Sequence, residues 1–441
     1  MQKRNFILIV IALLILTGGV LTYLYFNKPQ TLPPEEEGTN FFSNFNPFSK
    51  NTPKPPQTTP PEDVSGYEPD EEIVITSKNL VRISSMPVSG YALFLKERYK
   101  EILPPPAEEE AVPVKKPEAP LTEFVPAIRY ISRATGNIYQ TFLDKIEERQ
   151  FSNTLIPKIY ESFFGNKAES VLMRYLKNDD RTIQTFIGNL PKEVLGQDRE
   201  SNEIKGYFLP DNITDAIISP DGTKAFYLLN VGEGVTGTVA TITADQKLSK
   251  KTAVFDSLFT EWISSWPNAK MITLTTKASF LVPGYMYKVD PDRRELSRIF
   301  GEVNGLTTLT SPDGKLVLYS DNTLALSVYE AETRESTLLG IRTLPEKCVW
   351  GKVSTVIYCA VPKVSSGFSY PDTWYQGEVS FSDEIWKTDI TTGRTSYITD
   401  LVPAPGESID GIKLSLNSEE TLLFFINKKD SHLWELDLRE E

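Results

Sequence analysis

The sequence Ser-Pro-Asp-Gly occurs twice in the chain, at residues 219–222 and 311–314. Each copy follows an apolar run and is followed by another, Lys224–Leu229 in the first case and Lys315–Ser320 in the second. Proline presets φ at the first turn position, aspartate bonds nearby backbone groups, and glycine takes the left-handed conformation. The two stretches therefore predict tight hairpins between β-strands.

Weaker copies of this turn lie between other pairs of apolar runs. Aligned on the proline position, the six turns fall at Gly165, Pro220, Pro267, Pro312, Gly351 and Asn417, a mean spacing of about 50 residues. A third strand that ends in an acidic or polar turn follows each hairpin, as in residues 136–143, 285–290, 326–330, 384–390 and 432–438. Asp144–Glu148 is the best candidate for a helix. This period favours one four-stranded blade per repeat.

We predict an all-β fold, a β-propeller of about seven four-stranded antiparallel blades over residues 73–441. The weaker turns depart enough from the pattern that the sequence also allows six or eight blades. Blade one begins at Gly90–Leu95, is interrupted by a disordered insert near 98–122, and resumes at Ala127–Ser132. The other blades are expected at 155–195, 205–257, 259–303, 304–345, 346–402 and 408–438. The last of these has only three strands. We expect residues 79–84 to pair with His432–Leu438 and so to close the ring and cover both sheet edges.

The Ser-Pro-Asp-Gly hairpins, together with endings such as Ile385–Thr399 (IWKTDITTGRTSYIT), resemble those of TolB-type and WD-repeat-like β-propellers of bacteria. The resemblance covers nearly all of residues 73–441. It implies the propeller fold but no particular activity, because that scaffold hosts many different roles.

The N-terminal region has the pattern of a membrane anchor. Lys3 and Arg4 precede Phe6–Phe26, a run of 21 residues without a charge. At 1.5 Å per residue such a helix is about 31 Å long, enough to cross a bilayer. A cleaved signal peptide is the alternative, but its apolar region is usually shorter. The basic flank predicts a single-pass protein of the cell membrane, with residues 1–27 as cytoplasmic tip and anchor and the propeller outside the cytoplasm.

Residues 28–72 are predicted to form a disordered stalk. Residues 27–72 hold ten prolines, nine acidic residues and three lysines, a composition that buries too little apolar surface to fold. Four phenylalanines nevertheless crowd into this polar segment, at Phe41, Phe42, Phe45 and Phe48. They form a short motif for a partner or for the lipid surface, or else an apolar patch in a linker; the sequence leaves these alternatives open.

Composition excludes several classes of site. The chain of 441 residues has one His and two Cys, too few for zinc sites of several histidines or for iron–sulfur clusters. Its net charge of −13 argues against a protein that binds nucleic acid through a basic surface. His432, at the start of a strand, is expected to be a surface or cross-strand residue. Asp221, Asp313 and Asp389 suggest calcium ligands, but turn chemistry explains them first. We expect no catalytic residue, cofactor or metal.

Two features of the predicted blade six are candidates for a role. Cys348 and Cys359 lie on consecutive strands on either side of a turn, nearly opposite each other, which favours a disulfide over two buried thiols. An insert at residues 365–383 carries aromatic residues that form a candidate partner-binding loop, namely Phe368, Tyr370, Trp374, Tyr375 and Phe381. The alternative is a loop that folds back and buries its own rings.

From these features we expect a non-enzymatic interaction scaffold that docks other proteins of the cell envelope. The alternative is a propeller that binds glycans at the cell surface. Two enzymatic versions are disfavoured. A propeller of the polysaccharide-lyase type is expected to carry several metal-binding histidines, and a membrane-tethered propeller peptidase is expected to pair its ring with a hydrolase domain, whereas this chain ends with the ring.

Overall fold

The computed structural model describes residues 80–100, 121–165, 167–195, 202–243, 248–363, 368–404 and 406–439. They form 28 strands in seven four-stranded antiparallel sheets, so the predicted seven-bladed β-propeller is confirmed. The predicted anchor Phe6–Phe26 and the stalk lie outside these residues. Within the described ranges, every helix is too short or too polar to span a bilayer.

The strands follow one another from the inner to the outer edge of each blade. Blade one holds β2 (Val88–Tyr99), β3 (Thr122–Ser132), β4 (Ile138–Phe142) and β5 (Arg149–Gln150); blade two holds β6 (Ile159–Gly165), β7 (Ser170–Leu176), β8 (Ile183–Asn189) and β9 (Lys205–Phe208). Blade three holds β10 (Ile213–Ile218), β11 (Lys224–Val231), β12 (Gly234–Ile242) and β13 (Leu248–Ser257). Blade four holds β14 (Trp262–Asn268), β15 (Met271–Thr276), β16 (Pro283–Val289) and β17 (Leu296–Asn304).

The remaining blades follow the same order. Blade five holds β18 (Thr307–Thr310), β19 (Leu316–Ser320), β20 (Ala325–Glu330) and β21 (Ser336–Arg342), and blade six holds β22 (Cys348–Trp350), β23 (Val356–Pro362), β24 (Asp383–Asp389) and β25 (Thr395–Asp400). Blade seven holds β26 (Gly411–Leu416), β27 (Leu422–Asn427) and β28 (Leu433–Asp437), with β1 (Leu80–Arg82) as its outer strand. Asp372–Tyr375 forms the short helix α1, and Pro345–Lys347 a single 3₁₀ turn.

Three boundaries differ from the sequence-based prediction. Residues 205–208 are the outer strand of blade two rather than the start of blade three, because the connection from β8 is long and carries no strand signal. The hairpin of blade one extends further than expected, since Tyr99 still pairs with Thr122. Asp144–Glu148 is not helical; the chain turns there to reach β5.

The Ser-Pro-Asp-Gly turns have the predicted chemistry. Ser219 Oγ donates to Asp221 Oδ1 at 2.5 Å and accepts from the Lys224 backbone N–H at 2.9 Å, and Gly222 has a φ of 70°. The same bonds recur in the second copy, where Ser311 Oγ donates to Asp313 Oδ1 at 2.6 Å. These aspartates are thus explained by the turn itself. At each turn, the glycine in the left-handed conformation and the hydrogen-bonded serine hydroxyl fix the register of the hairpin.

The core is divided among the interfaces between blades. Each of seven apolar clusters lies between two neighbouring blades, for example Ile217, Phe226, Trp262 and Ile272 between blades three and four. The middle strands are therefore covered on both faces, as in β27, where five successive residues are buried. This explains why the second strand of each repeat is a continuous apolar run instead of an alternating one.

The ring closes where the sequence predicts. β1 pairs antiparallel with β28, with Leu80 opposite Leu436 and Arg82 opposite Trp434. Beyond the strand, the Ile83 backbone N–H donates to the Leu433 carbonyl at 2.8 Å, and Ser84 Oγ accepts from the Leu433 backbone N–H at 2.9 Å. The first described residues thus complete the last blade.

The two ends of the ring are distinguished by their connections. Inner strands begin at one end, which we call the lid face because the insert of blade six lies there, and end at the other, which we call the hairpin face. Connections between blades and between second and third strands lie on the lid face. Since β1 runs antiparallel to β28, its first residue, Leu80, lies towards the hairpin face.

Deletion of residues 79–84 from the compact unit 74–441 is expected to lower the melting temperature strongly, because it uncovers the edge of β28 and removes the buried residues Ile83 and Ser84. The check is thermal unfolding followed by circular dichroism, with removal of residues 74–78 alone as the control. Equal melting temperatures for the deletion and its control would contradict the closure model.

Candidate functional site

The insert of blade six forms a lid on the lid face, which we define as residues 368–382. It leaves β23, turns through α1 and returns to β24. At one side the Asp372 carboxylate accepts from Ser279 Oγ at 3.1 Å and from the Phe280 backbone N–H at 2.9 Å, both in blade four. At the other side Lys428 of blade seven donates to the Trp374 carbonyl at 2.7 Å. The lid therefore reaches from blade four to blade seven.

The lid buries most of the aromatic side chains that were predicted to bind a partner. Tyr370, Trp374 and Phe381 are only 2–4% exposed and pack with Leu324 and Leu344 of blade five and its connection to blade six. Phe368 and Tyr375 remain 43% and 38% exposed. These three rings form the lid's own apolar core, as the alternative interpretation expected, and the binding of a partner by the loop stays a prediction.

Three buried charges fasten the lid to the ring. The ammonium of Lys347 lies 2.7 Å from Asp383 Oδ2 and 2.5 Å from Asp410 Oδ1, and all three side chains are inaccessible to solvent. Asp410 Oδ2 accepts from the Trp374 indole N–H at 2.9 Å and from the Phe381 backbone N–H at 3.0 Å. We call Lys347, Asp383 and Asp410 the latch, because Asp410 holds the lid at both Trp374 and Phe381.

The pKa values of the two latch carboxyls are shifted in opposite directions. Burial raises the pKa of Asp383 to about 6, since only its Oδ2 atom has donors, namely Lys347 and the Gly411 backbone N–H. Its Oδ1 atom is buried without a hydrogen-bond partner in the described part of the chain. Burial acts on Asp410 as well, but Lys347 and the lid donors outweigh it and lower the pKa of that carboxyl. On acidification Asp383 therefore takes up a proton before Asp410 does.

No pattern in the sequence points to the latch. Lys347, Asp383 and Asp410 are separated by 36 and 27 residues and sit at the starts of strands, where charged residues are common. Only the ring geometry makes them neighbours, because it brings together the starts of β22, β24 and β26 on the lid face.

A groove of about 940 Å³ opens on the lid face between blades seven, one and two. Its rim carries Arg133, Lys158, Lys428 and Lys429 against a single carboxylate, Asp430, in a chain whose net charge is −13. Lys158 forms an ion pair with Asp180 at 2.6 Å. The other three cations donate to neutral oxygens, those of Ser431, Trp374 and Ser408. The groove is therefore a locally positive surface.

Loop tips of blades three and four expose an apolar surface on the same face. Five large side chains there are 47–86% exposed, namely Val231, Leu258, Phe259, Leu281 and Val282. We call them the apolar patch. The lid adjoins it, because Asp372 binds Ser279 and Phe280 immediately before Leu281. The lid thus lies between the apolar patch and the basic groove.

The two cysteines form a disulfide in blade six. Cys348 lies opposite Cys359 in the register of β22 and β23, and their Sγ atoms are 2.12 Å apart. Such a bond stabilises a domain by about 2–4 kcal/mol. One of its two cysteines, Cys348, directly follows Lys347 of the latch in sequence.

The remaining candidates have structural roles. Asp389 accepts from the Thr392 backbone N–H at 3.0 Å in a turn, as Asp221 and Asp313 do in theirs. His432 lies in a tight turn, where its backbone N–H donates to Asp430 at 2.9 Å. Among the described residues, no group of three or more His, Cys, Asp or Glu side chains is arranged to hold a metal ion.

Comparison with known proteins adds only the fold. No protein-family model matches the chain, and no curated protein matches its sequence. Solved structures that resemble it include an oligogalacturonate lyase from Vibrio parahaemolyticus (10% identity, TM-score 0.48, covering 71% of this chain and 86% of the other) and the Swd1 β-propeller domain of Myceliophteria thermophila (9%, 0.46, 71% and 94%). The tricorn protease is also similar (11%, 0.45), with 71% of this chain matched to 32% of that protein.

The chain is a seven-bladed propeller. At these identities the likenesses show the fold alone, so the TolB-type resemblance of the hairpins stays a prediction. The chain spans about a third of the tricorn protease.

Replacement Asp410→Asn is expected to loosen the lid and to lower the free energy of unfolding by about 3–5 kcal/mol. The change removes one of the two carboxylates that neutralise buried Lys347, and it puts a neutral amide in place of the carboxylate that accepts from Trp374 and Phe381. Hydrogen exchange of the backbone amides of residues 372–381 measures the lid directly. Asp372→Asn is the matched control, since its amide oxygen still accepts from blade four. Unchanged exchange in Asp410→Asn would show that the latch does not hold the lid.

The raised pKa of Asp383 predicts a specific pH dependence. The folded protein takes up a proton on Asp383 near pH 6, whereas the unfolded chain does so only near pH 4. The unfolding free energy of the wild type relative to Asp383→Asn should therefore rise as the pH falls from 7 to 4, by up to about 3 kcal/mol.

The control for this experiment is Asp389→Asn, whose wild-type carboxyl has a lowered pKa because backbone N–H groups bind it. The unfolding free energy of the wild type relative to Asp389→Asn should fall as the pH falls, because protonation of Asp389 removes the stability that its charged form contributes. Urea titrations at several pH values provide the measurement. A pH-independent difference for Asp383→Asn would contradict the assignment.

Proposed function

We propose that the protein is a non-enzymatic docking module that binds protein partners on its lid face. The observation that carries this proposal is the apolar patch. Large apolar side chains exposed together on neighbouring loop tips are uncommon in monomeric proteins, and such surfaces mark interaction sites. The patch is formed by loop tips on a rigid ring, which is the usual position of binding residues on a scaffold.

The partner we propose has an apolar anchor next to an acidic segment. The apolar patch suits the anchor, and the basic groove beyond the lid suits the acidic segment, because Arg133, Lys428 and Lys429 bond only neutral oxygens in the interactions described above. The positive groove orients such an acidic partner, whereas the net charge of −13 makes copies of the chain repel one another.

The lid determines which side chains are exposed between the apolar patch and the basic groove. Trp374 is the residue on which a sugar would be expected to stack. Because its ring is buried, it cannot be reached by a sugar, which weakens the case for glycan binding. Phe368 and Tyr375 at the lid's surface extend the contact area between patch and groove.

We further propose that the ring is held outside the cytoplasm by the predicted anchor at Phe6–Phe26. The Cys348–Cys359 disulfide supports this placement, since such bonds persist mainly in oxidising compartments. A flexible stalk of residues 28–72 would hold the ring on average about 35–40 Å from the membrane, within reach of other envelope proteins.

The test is capture of partners by the 74–441 unit and by the double variant Leu258→Ser with Leu281→Ser, followed by mass spectrometry and a glycan array. We expect a protein whose capture is lost in the double variant, because removal of exposed apolar anchors costs binding but not folding. Leu338→Ser is the control, since Leu338 is 66% exposed but lies on β21 at the rim of the ring. Saccharide binding without a patch-dependent protein partner would overturn the proposal.

A further inference from the structure

Lys428 of blade seven belongs to two features of the lid face at once. It lines the basic groove, together with Arg133 and Lys429. Its ammonium also donates to the carbonyl of Trp374 in the lid at 2.7 Å and lies 4.5 Å from the centroid of the Trp374 ring. The groove and the lid therefore share one charged side chain.

The backbone that carries Lys428 is held by several hydrogen bonds. The Lys428 backbone N–H donates to the carbonyl of Asp410 at 2.7 Å. The Asn427 side-chain oxygen accepts from the backbone N–H groups of Asp410 and Lys429, at 3.1 and 3.2 Å. The Ser431 backbone N–H closes the turn by donating to the Asn427 carbonyl at 2.7 Å. The turn is therefore fixed, and the part of Lys428 that can change position is its flexible four-carbon side chain.

The lid determines where that side chain lies. Burial lowers the pKa of the Lys428 ammonium, and the attraction of Asp410 and Glu346 compensates only in part. The bond to the Trp374 carbonyl holds the ammonium at the groove in spite of this cost, so it is already in place for a ligand. An ammonium carries three N–H donors, and the bond to the lid uses one of them.

The other cations of the groove indicate the charge of its ligand. Arg133 donates to Ser431 Oγ at 2.6 Å, and Lys429 donates to Ser408 Oγ at 2.5 Å. A carboxylate forms a stronger bond to a cation than a neutral hydroxyl does, because both partners then carry charge. Tyr160 also lines the groove, so the ligand meets an aromatic ring as well as cations. This combination suits a peptide with acidic side chains, whose methylene groups can rest on the ring.

We propose that the basic groove binds the carboxylates of an acidic peptide segment and that Lys428 couples this binding to closure of the lid. Its ammonium bonds the ligand and the Trp374 carbonyl together, so opening of the lid releases the side chain and weakens its hold on the ligand. By linkage, the ligand favours the closed lid by the same factor. The nature of the ligand rests on the proposed function, whereas the coupling goes beyond it.

The coupling makes the two contact areas of the lid face act together. A ligand in the groove keeps the lid closed, and the closed lid holds its surface side chains Phe368 and Tyr375 in one position between the groove and the apolar patch. A partner that fills the groove thus also fixes the surface beside the patch, where its apolar anchor is expected to bind.

Fluorescence anisotropy and hydrogen exchange on the full chain in a non-ionic detergent test this inference. The probe is a fluorescein-labelled peptide of six glutamates, and the same peptide with six glutamines is the neutral control. At low ionic strength we expect binding of the glutamate peptide alone, because salt screens contacts between charges. Saturating glutamate peptide should slow the exchange of the backbone amides of residues 372–381 about fivefold.

Two neighbouring lysines provide matched variants. Lys428→Gln and Lys429→Gln each remove one positive charge from the groove, and each should weaken binding about tenfold. Lys429→Gln should keep the protection of the lid, because Lys429 bonds Ser408 outside the lid. In Lys428→Gln the exchange of residues 372–381 should stay the same with and without the peptide, at a concentration that saturates the variant.

Absence of binding by the wild type would overturn the inference, as would unchanged exchange of its lid or equal protection of the lid in the two variants. The capture experiment with Leu258→Ser and Leu281→Ser reports on the apolar patch and not on the groove. Patch-dependent capture without protection of the lid would therefore refute the coupling alone. Protection of the lid without patch-dependent capture would refute the proposed function alone.

Discussion

The structure depends on closure of the ring. Each blade buries both faces of its middle strands against its neighbours, so a blade at an open end would expose an apolar sheet to water. Seven such interfaces can all be satisfied only when the last blade meets the first, and β1 joins them by completing the sheet of β26–β28. The three residues Leu80–Arg82 thus complete the sheet of the last blade and close a ring whose other strands run from Val88 to Asp437.

Much of this architecture follows from local sequence. The Ser-Pro-Asp-Gly turns, their spacing of about 50 residues and the incomplete last blade predict a propeller of about seven blades and its closure, because turn chemistry acts within five residues. The facing of Cys348 and Cys359 also follows from a single hairpin. By contrast, the outer strand Lys205–Phe208 follows a long connection, so no local signal marks it, and its assignment to blade two depends on the tertiary structure.

The lid shows where prediction from sequence ends. Aromatic residues in a loop are compatible with binding or with self-burial, and the choice is made by contacts with distant residues such as Leu324 and Asp410. The latch is one step further removed, since its charges become neighbours only through the ring. Two carboxylates around one buried ammonium add little stability by themselves, but they demand one geometry, and any other placement of Trp374 and Phe381 leaves a buried carboxylate unmatched.

The position of β1 also has a mechanical consequence. Its first residue points to the hairpin face, so tension on the preceding chain pulls along the strand axis and not across it. The registered pairs Leu80–Leu436, Val81–Glu435 and Arg82–Trp434 then share the load in shear, instead of breaking one after another as in an opening zipper. A ring fastened in this way resists tension on the residues before Leu80, and it would yield only when the whole short ladder slides at once.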